Sequence, residues 1–206
     1  MIVSHKHKLI FVRTRKTAGS SLSKLIYPYL GESDTFSGLK LHGINPKKLP
    51  HGVGAHASEF YISRRYSEVW DSYYKFTIER NPWQRAVSLW HWQNYNKPDE
   101  FSRYPFPKYC RLMGGGLSNW RMYANKNNKI TVDDVFLYED LSPMFDKLKD
   151  CFDIDIKDQW ESTRLKSGIT PNKHYSEYYD YSLRDYISEI CQHEIETFGY
   201  FFSKKC

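Results

Sequence analysis

The stretch Leu9-Ile10-Phe11-Val12-Arg13-Thr14-Arg15-Lys16-Thr17-Ala18-Gly19-Ser20-Ser21-Leu22-Ser23-Lys24-Leu25-Ile26 decides the fold class. Leu9 to Val12 is a short apolar run rich in strand formers, and Ser21 to Ile26 reads as a helix that stops near Pro28. Between them lies a polar, glycine-containing loop. A strand that ends in such a loop and opens a helix offers unpaired backbone N–H groups and the positive end of the helix to an anion. Lys16 adds a mobile charge, Gly19 allows close backbone approach, and Thr17, Ser20 and Ser21 supply hydroxyls. Seen in isolation, the same stretch reads first as a capped helix start with a surface lysine. The residue order is informative, because a nucleoside-triphosphatase loop of the form GxxxxGK[ST] places its lysine after the last glycine. Here the lysine comes first, which points to a donor that needs no metal.

Working outward, Ala57 to Tyr66 is a helix candidate and Tyr73 to Ile78 a second buried strand. Asn81-Pro82 sets the next boundary, with asparagine as cap and proline at the first helical position, so a helix is expected from Pro82 to about Tyr95. A loop with Pro98, Pro105, Pro107 and Gly114-Gly115-Gly116 follows. Val135 to Tyr138 is a third strand, Pro143 to Cys151 a helix, and Leu183 to Phe198 a final amphipathic helix. Gly31 to Gly54 reads as irregular connection. Strands alternating with helices imply an α/β fold: residues 1–206 as a single domain with a mostly parallel central sheet flanked by helices, and ligands at the carboxyl ends of the strands.

Composition narrows the partners. Thirty basic against 24 acidic residues give a formal charge of +6, which favours anionic ligands. No run of five or six like charges exists, so the sequence argues against a nucleic-acid partner. Cys110, Cys151, Cys191 and Cys206 contain no CxxC pair, consistent with reduced thiols and no zinc. Met1 to Lys8 is polar and the following apolar run is too short to span a bilayer, so the expected location is cytoplasmic, without stable membrane insertion.

A second constellation is Phe76-Thr77-Ile78-Glu79-Arg80-Asn81-Pro82-Trp83-Gln84-Arg85-Ala86-Val87-Ser88. The strand delivers Arg80 to its carboxyl end, and Arg85 and Ser88 fall one turn apart on the helix. A guanidinium with its forked donors and a hydroxyl suit a second phosphate. For Arg85 the preferred reading is a structural ion pair.

Together these stretches resemble the PAPS-dependent sulfotransferases, with PAPS being 3′-phosphoadenosine 5′-phosphosulfate, and most closely their carbohydrate sulfotransferase branch. Lys16 to Ser21 looks like the family's loop for the 5′-phosphosulfate, and Arg80 to Ser88 like its R-x-P-x-x-R-x-x-S element for the 3′-phosphate. The likeness extends through Trp70 to Phe76, Tyr138-Glu139-Asp140-Leu141 and Phe198 to Phe202. Two departures stand out: Arg15 where many members have proline, and Glu79 where an apolar residue is usual.

The resemblance implies a P-loop-like sulfotransferase architecture of the bacterial or viral cytosolic type. Its reaction moves a sulfuryl group from PAPS to a hydroxyl acceptor, a carbohydrate or glycolipid, releasing PAP and using no metal. Arg15, Lys16, Thr17, Ala18, Gly19, Ser20, Ser21, Arg80 and Ser88 would bind the donor, with Lys16 stabilising the leaving oxygen. His56 resembles a family histidine placed to accept the acceptor's proton, and Glu59 is the alternative base or the group that orients it. His174 with Lys173 lies in a basic, aromatic loop suited to closing over donor or acceptor. Two other readings stand beside this one: a small P-loop kinase using ATP and Mg²⁺, and a non-catalytic nucleotide or nucleic-acid binding module.

Overall fold

In the computed structural model, residues 1–37, 54–102, 104–163 and 168–204 are described. The chain divides into two compact units, Met1–Glu79 with Arg121–Leu165 and Arg80–Trp120 with Lys166–Cys206.

The first unit is built on a five-stranded sheet in the order β3-β1-β2-β4-β5. The strands are β1 (Ile2–Ser4), β2 (Leu9–Phe11), β3 (Thr35–Phe36), β4 (Tyr74–Glu79) and β5 (Asp134–Leu137). β2 pairs with β4 and β4 with β5 in parallel, whereas β1 runs antiparallel to both β2 and β3. Four of the five strands therefore point the same way, giving a mixed, mostly parallel α/β sheet. The helices of this unit are α1 (Gly19–Ile26), α2 (Glu59–Arg65) and α3 (Ser67–Trp70) from its first segment.

β1 escapes a reading based on apolar runs because its apolar residues give way at once to the polar Ser4 to Lys8, and β3 because it has only two residues. Met1 to Lys8, read as polar, is in fact a strand and a hairpin turn, and Asp34 is what holds it. Its carboxylate accepts from Ser4 Oγ at 2.6 Å, His5 N at 2.7 Å, Lys6 N at 3.2 Å and Gly31 N at 2.8 Å. Within Gly31 to Gly54, residues 35 and 36 form β3, and residues 38–53 lie outside the described residues.

The strand period of two sorts the sheet's side chains. Leu9, Phe11, Phe76 and Ile78 face a core completed by Leu22 and Ile26 of α1 and by residues between Leu141 and Trp160. The intervening Ile10, Thr77 and Glu79 are buried as well. Glu79, which departs from the usual apolar residue, is fully buried and accepts from Tyr123 Oη at 2.9 Å. A charge-assisted hydrogen bond is the condition on which such a carboxylate is tolerated inside a protein.

The second unit is helical, centred on α4 (Pro82–Asn96), whose Asn81 cap accepts from Trp83 N and Gln84 N at 3.2 Å each. The expected proline-rich loop instead contains α5 (Pro98–Phe101), α6 (Phe106–Met113) and a 3₁₀ turn at Gly114–Leu117. Prolines at the first positions of helices start them, since the missing N–H has no partner there to lose. The short α7 (Trp120–Tyr123) crosses from one unit's chain segment to the other's. The first unit resumes with α8 (Ser142–Phe152) and α9 (Lys157–Trp160).

The expected final helix is two, α10 (Tyr181–Ile190) and α11 (Gln192–Phe198), broken at Cys191. Trp83, Val87, Phe106, Tyr109, Leu183 and Ile187 form this unit's core. Trp90 belongs to the same packing and donates to Tyr104 O at 3.0 Å, while Tyr95 is exposed. Cys110 and Cys191 are buried free thiols and Cys151 an exposed one; Cys206 lies outside the described residues. No helix among the described residues is long and apolar enough to cross a membrane.

Candidate active site

The candidate residues of the first unit centre on the loop that leaves the carboxyl end of β2. It is fastened to β4 at its root: Val12 N donates to Phe76 O at 2.9 Å, Thr77 Oγ1 to Val12 O at 2.6 Å, and Thr14 Oγ1 to Ile78 O. Thr14 and Thr17 share a hydroxyl–hydroxyl bond at 2.8 Å, and Thr17 is fully buried. Thr17 thus braces the loop from inside.

Beyond that brace the backbone turns through two left-handed residues, Lys16 at φ 60° and Ala18 at φ 61°. Each costs a non-glycine residue roughly 1–2 kcal/mol, and such strain collects where a backbone must present its N–H groups to a ligand. Gly19, expected to allow close backbone approach, is not in the left-handed region. Its missing Cβ serves a neighbour: a methyl there would lie 2.7 Å from Arg13 Cγ. Arg15 and Lys16 are half-buried, Ser20 and Ser21 are buried, and the first turn of α1 carries no acidic residue. Cations, hydroxyls and a helix start without carboxylates fit a phosphate or sulfate group.

His56 belongs to the same unit, three residues before α2. Its Nδ1 lies 3.0 Å from the backbone oxygen of Arg13. A carbonyl only accepts, so Nδ1 carries the hydrogen and Nε2 keeps its lone pair. Crowding by protein, then the Arg13 guanidinium, hold the imidazole well below its ordinary value, although the residue keeps an open face to solvent. At neutral pH it is an uncharged imidazole with a fixed tautomer. Glu59 does not orient it; the Arg13 carbonyl does. Glu59 itself is buried at the first turn of α2, and burial raises its pKa.

A separate set of candidate residues follows β4 in the chain and belongs to the second unit. Arg80 is half-buried, with Nη2 3.4 Å from Gln84 Oε1 one turn into α4. Ser88 is buried on α4. Arg85 does not join them. Its Nη2 bonds Leu117 O at 3.0 Å and Glu194 Oε1 at 3.2 Å, with both side chains almost wholly buried. The Arg85 of the motif is structural, as its preferred reading held.

The chain belongs to the sulfotransferase family. The family's model, described as "Sulfotransferase family", matches residues 1–201. No curated protein and no solved structure matches the chain. The loop, His56, Arg80 and Ser88 all fall within the matched span of this sulfotransferase-family chain.

Arg13 and Glu194 were not singled out from the sequence. Arg13 lies at the end of a strand-like run, where nothing in composition marks its side chain as returning to the loop. Glu194 sits in a helix of ordinary polarity, and its partner is 109 residues away. His174 proves to be a helix cap: its Nδ1 lies 2.7 Å from Ser176 Oγ and accepts from Ser176 N at 3.3 Å, while Glu177 accepts from its backbone N–H. His5 and His7 are likewise fixed, to Tyr73 Oη and Tyr29 O at 2.9 Å each. A cavity of about 310 Å³ in the second unit is lined by Tyr181, Arg184 and Lys204 among others. Its charges are engaged locally, Lys204 with Tyr181 Oη at 3.1 Å and Arg184 with Asp185 at 2.6 Å.

Proposed function

We propose that this sulfotransferase-family chain moves a sulfuryl group from PAPS to a hydroxyl of a saccharide acceptor, working as one domain in the cytoplasm. The reading rests on one observation above the others: an uncharged histidine of fixed tautomer and a strained, cation-bearing loop in the same unit. Arg15 and Lys16, the amides of Thr17 to Gly19, and Ser20 and Ser21 receive the 5′-phosphosulfate. Arg80 and Ser88 take the 3′-phosphate. The saccharide is the acceptor class implied by the motif resemblance.

In the reaction the acceptor oxygen forms a bond to sulfur as the bond from sulfur to the 5′-phosphate oxygen breaks. His56 Nε2 takes the hydroxyl proton, and Lys16 neutralises the charge that grows on the departing phosphate oxygen. Alignment of donor and acceptor carries most of the rate, as in phosphoryl transfer. Glu59, with its raised pKa, is the base if His56 proves dispensable.

Thermal stabilisation by PAP, compared with ADP and ATP in the presence of EDTA, tests the donor. At a hundredfold excess over the dissociation constant PAP should raise the melting temperature by about 5–10 °C. A larger shift with ATP that requires Mg²⁺ would favour the kinase reading. Salt-sensitive binding of oligonucleotides without preference for PAP would favour the nucleic-acid module.

A further inference from the structure

Arg13 makes contacts in three directions. Its Nη2 donates to Ser20 Oγ at 2.6 Å, and its Nη1 lies 3.5 Å from Ser37 O. Its aliphatic stem fills the space beside Gly19, and its backbone oxygen accepts from His56 Nδ1 at 3.0 Å. The residue is 4% exposed. Burying a guanidinium is costly, and an aliphatic side chain fills space beside a sheet at less expense. What an aliphatic residue cannot supply is the fork that reaches Ser20.

We propose that Arg13 is a positioning residue that holds the donor loop and His56 in one frame, its side chain fixing Ser20 and its carbonyl fixing the imidazole. The proposal rests on the reading of that loop as donor site and of His56 as base. Both bonds start from a single residue rooted in the sheet, because Val12 before it and Thr14 after it are each bonded to β4. Ser20 is thus held through the guanidinium and the imidazole through the carbonyl, and the guanidinium's charge also acts on the imidazole.

The same arrangement has an electrostatic consequence. After the protein's crowding, the Arg13 guanidinium is the chief influence keeping His56 uncharged; the Met1 amino group and Arg15 add to it, against the favourable bond to the Arg13 carbonyl. Gly19 completes the device, since any side chain there displaces Arg13.

The test is NMR of the His56 ring nitrogens in the full chain across pH, alongside PAP titrations, for the wild type, Ser20→Ala, Arg13→Met and Arg13→Lys. The wild type should show the Nδ1–H tautomer. Arg13→Met should move the His56 titration upward toward that of a free histidine and weaken PAP binding about tenfold, the loss expected for a hydrogen bond to a charged group. Arg13→Lys should restore most of the His56 titration, through its charge, but not PAP affinity, for want of the fork.

Ser20→Ala touches His56 nowhere, yet should shift its titration by releasing the guanidinium. An unchanged His56 titration and tautomer in both Ser20→Ala and Arg13→Met would overturn the proposal. Should Arg13→Met fail to fold, Ser20→Ala and Arg13→Lys decide alone, by the same two readouts. Failure of PAP to bind the wild type would instead refute the donor reading, and the histidine spectra would still report whether Arg13 positions the ring.

Discussion

Replacing Glu194 by glutamine changes the shape of the second unit's interior very little and its electrostatics a great deal. Glu194 Oε1 accepts from Arg85 Nη2 at 3.2 Å, Ser118 Oγ at 2.7 Å, Asn119 N at 2.9 Å and Trp120 N at 3.2 Å, and the residue is fully buried. Breaking one side of a buried ion pair costs about 3–5 kcal/mol, because the surviving charge is left uncompensated. Glutamine keeps an amide oxygen for Ser118, Asn119 and Trp120, so Glu194→Gln belongs at the low end, about 3 kcal/mol. Glu194→Ala also strands those three donors, at roughly 1–3 kcal/mol for each that water does not reach, and should cost at least about 5 kcal/mol. The double variant Arg85→Met with Glu194→Gln removes both charges and should recover to within about 1 kcal/mol of wild type.

Urea denaturation with a common slope measures wild type, Glu194→Gln, Glu194→Ala, Arg85→Met and the double variant. PAP titration of the folded double variant then asks whether Arg85 also serves the donor. A loss below about 1 kcal/mol in Glu194→Gln, or a double variant as unstable as the sum of the singles, would refute the buried-pair argument. A folded double variant that binds PAP more than tenfold weaker would make Arg85 a phosphate ligand after all.

Four further outcomes are expected. Lys16→Ala should lower turnover by at least about a hundredfold with a smaller effect on PAP affinity, whereas Arg80→Ala should chiefly weaken PAP binding; steady-state kinetics with PAP titration separate the two. His56→Ala should slow the chemical step by about 10²–10⁴ and leave PAP binding nearly intact, which single-turnover rates would show. Because the folded His56 pKa lies below its ordinary value, the wild-type rate should hold as pH falls through 6.5 and drop only at lower pH; an acid limb centred at 6.5 or above would contradict the shift. The stability contribution has the same sign, complete above the unfolded pKa and lost as pH falls below it. Asp34→Ala should cost about 2–4 kcal/mol by melting, since four donors lose their acceptor. Burial raises the Asp34 pKa, but hydrogen bonds from Ser4, Gly31, Lys6 and His5 outweigh it and leave the group below the usual range.

The features that could be read directly were local ones. β2, β4, β5, α1, α4 and α8 were legible because each has its own apolar run or cap within a few residues: Leu9 to Val12 before the loop, Asn81-Pro82 before α4. β1 and β3 were not, because β1 gives way at once to the polar Ser4 to Lys8, which Asp34 holds, and β3 is two residues paired to β1. α5 and α6 hid behind prolines that read as loop but serve as helix starts.

The same division runs through the candidate site. Residue order by itself marked the loop after β2 as suited to an anion and placed Lys16 ahead of Gly19, while the family resemblance pointed to Arg80, Ser88 and His56. Tertiary structure decided what the residues beneath them do. It put the backbone strain on Lys16 and Ala18, gave the space beside Gly19 to Arg13, supplied Glu194 as the partner of Arg85, and replaced Glu59 by a carbonyl as the orienter of His56. A motif records which groups the chemistry requires, while their partners are chosen by whichever distant segments the sheet and helices bring within hydrogen-bonding distance. That choice is a property of packing and leaves no local trace in the chain.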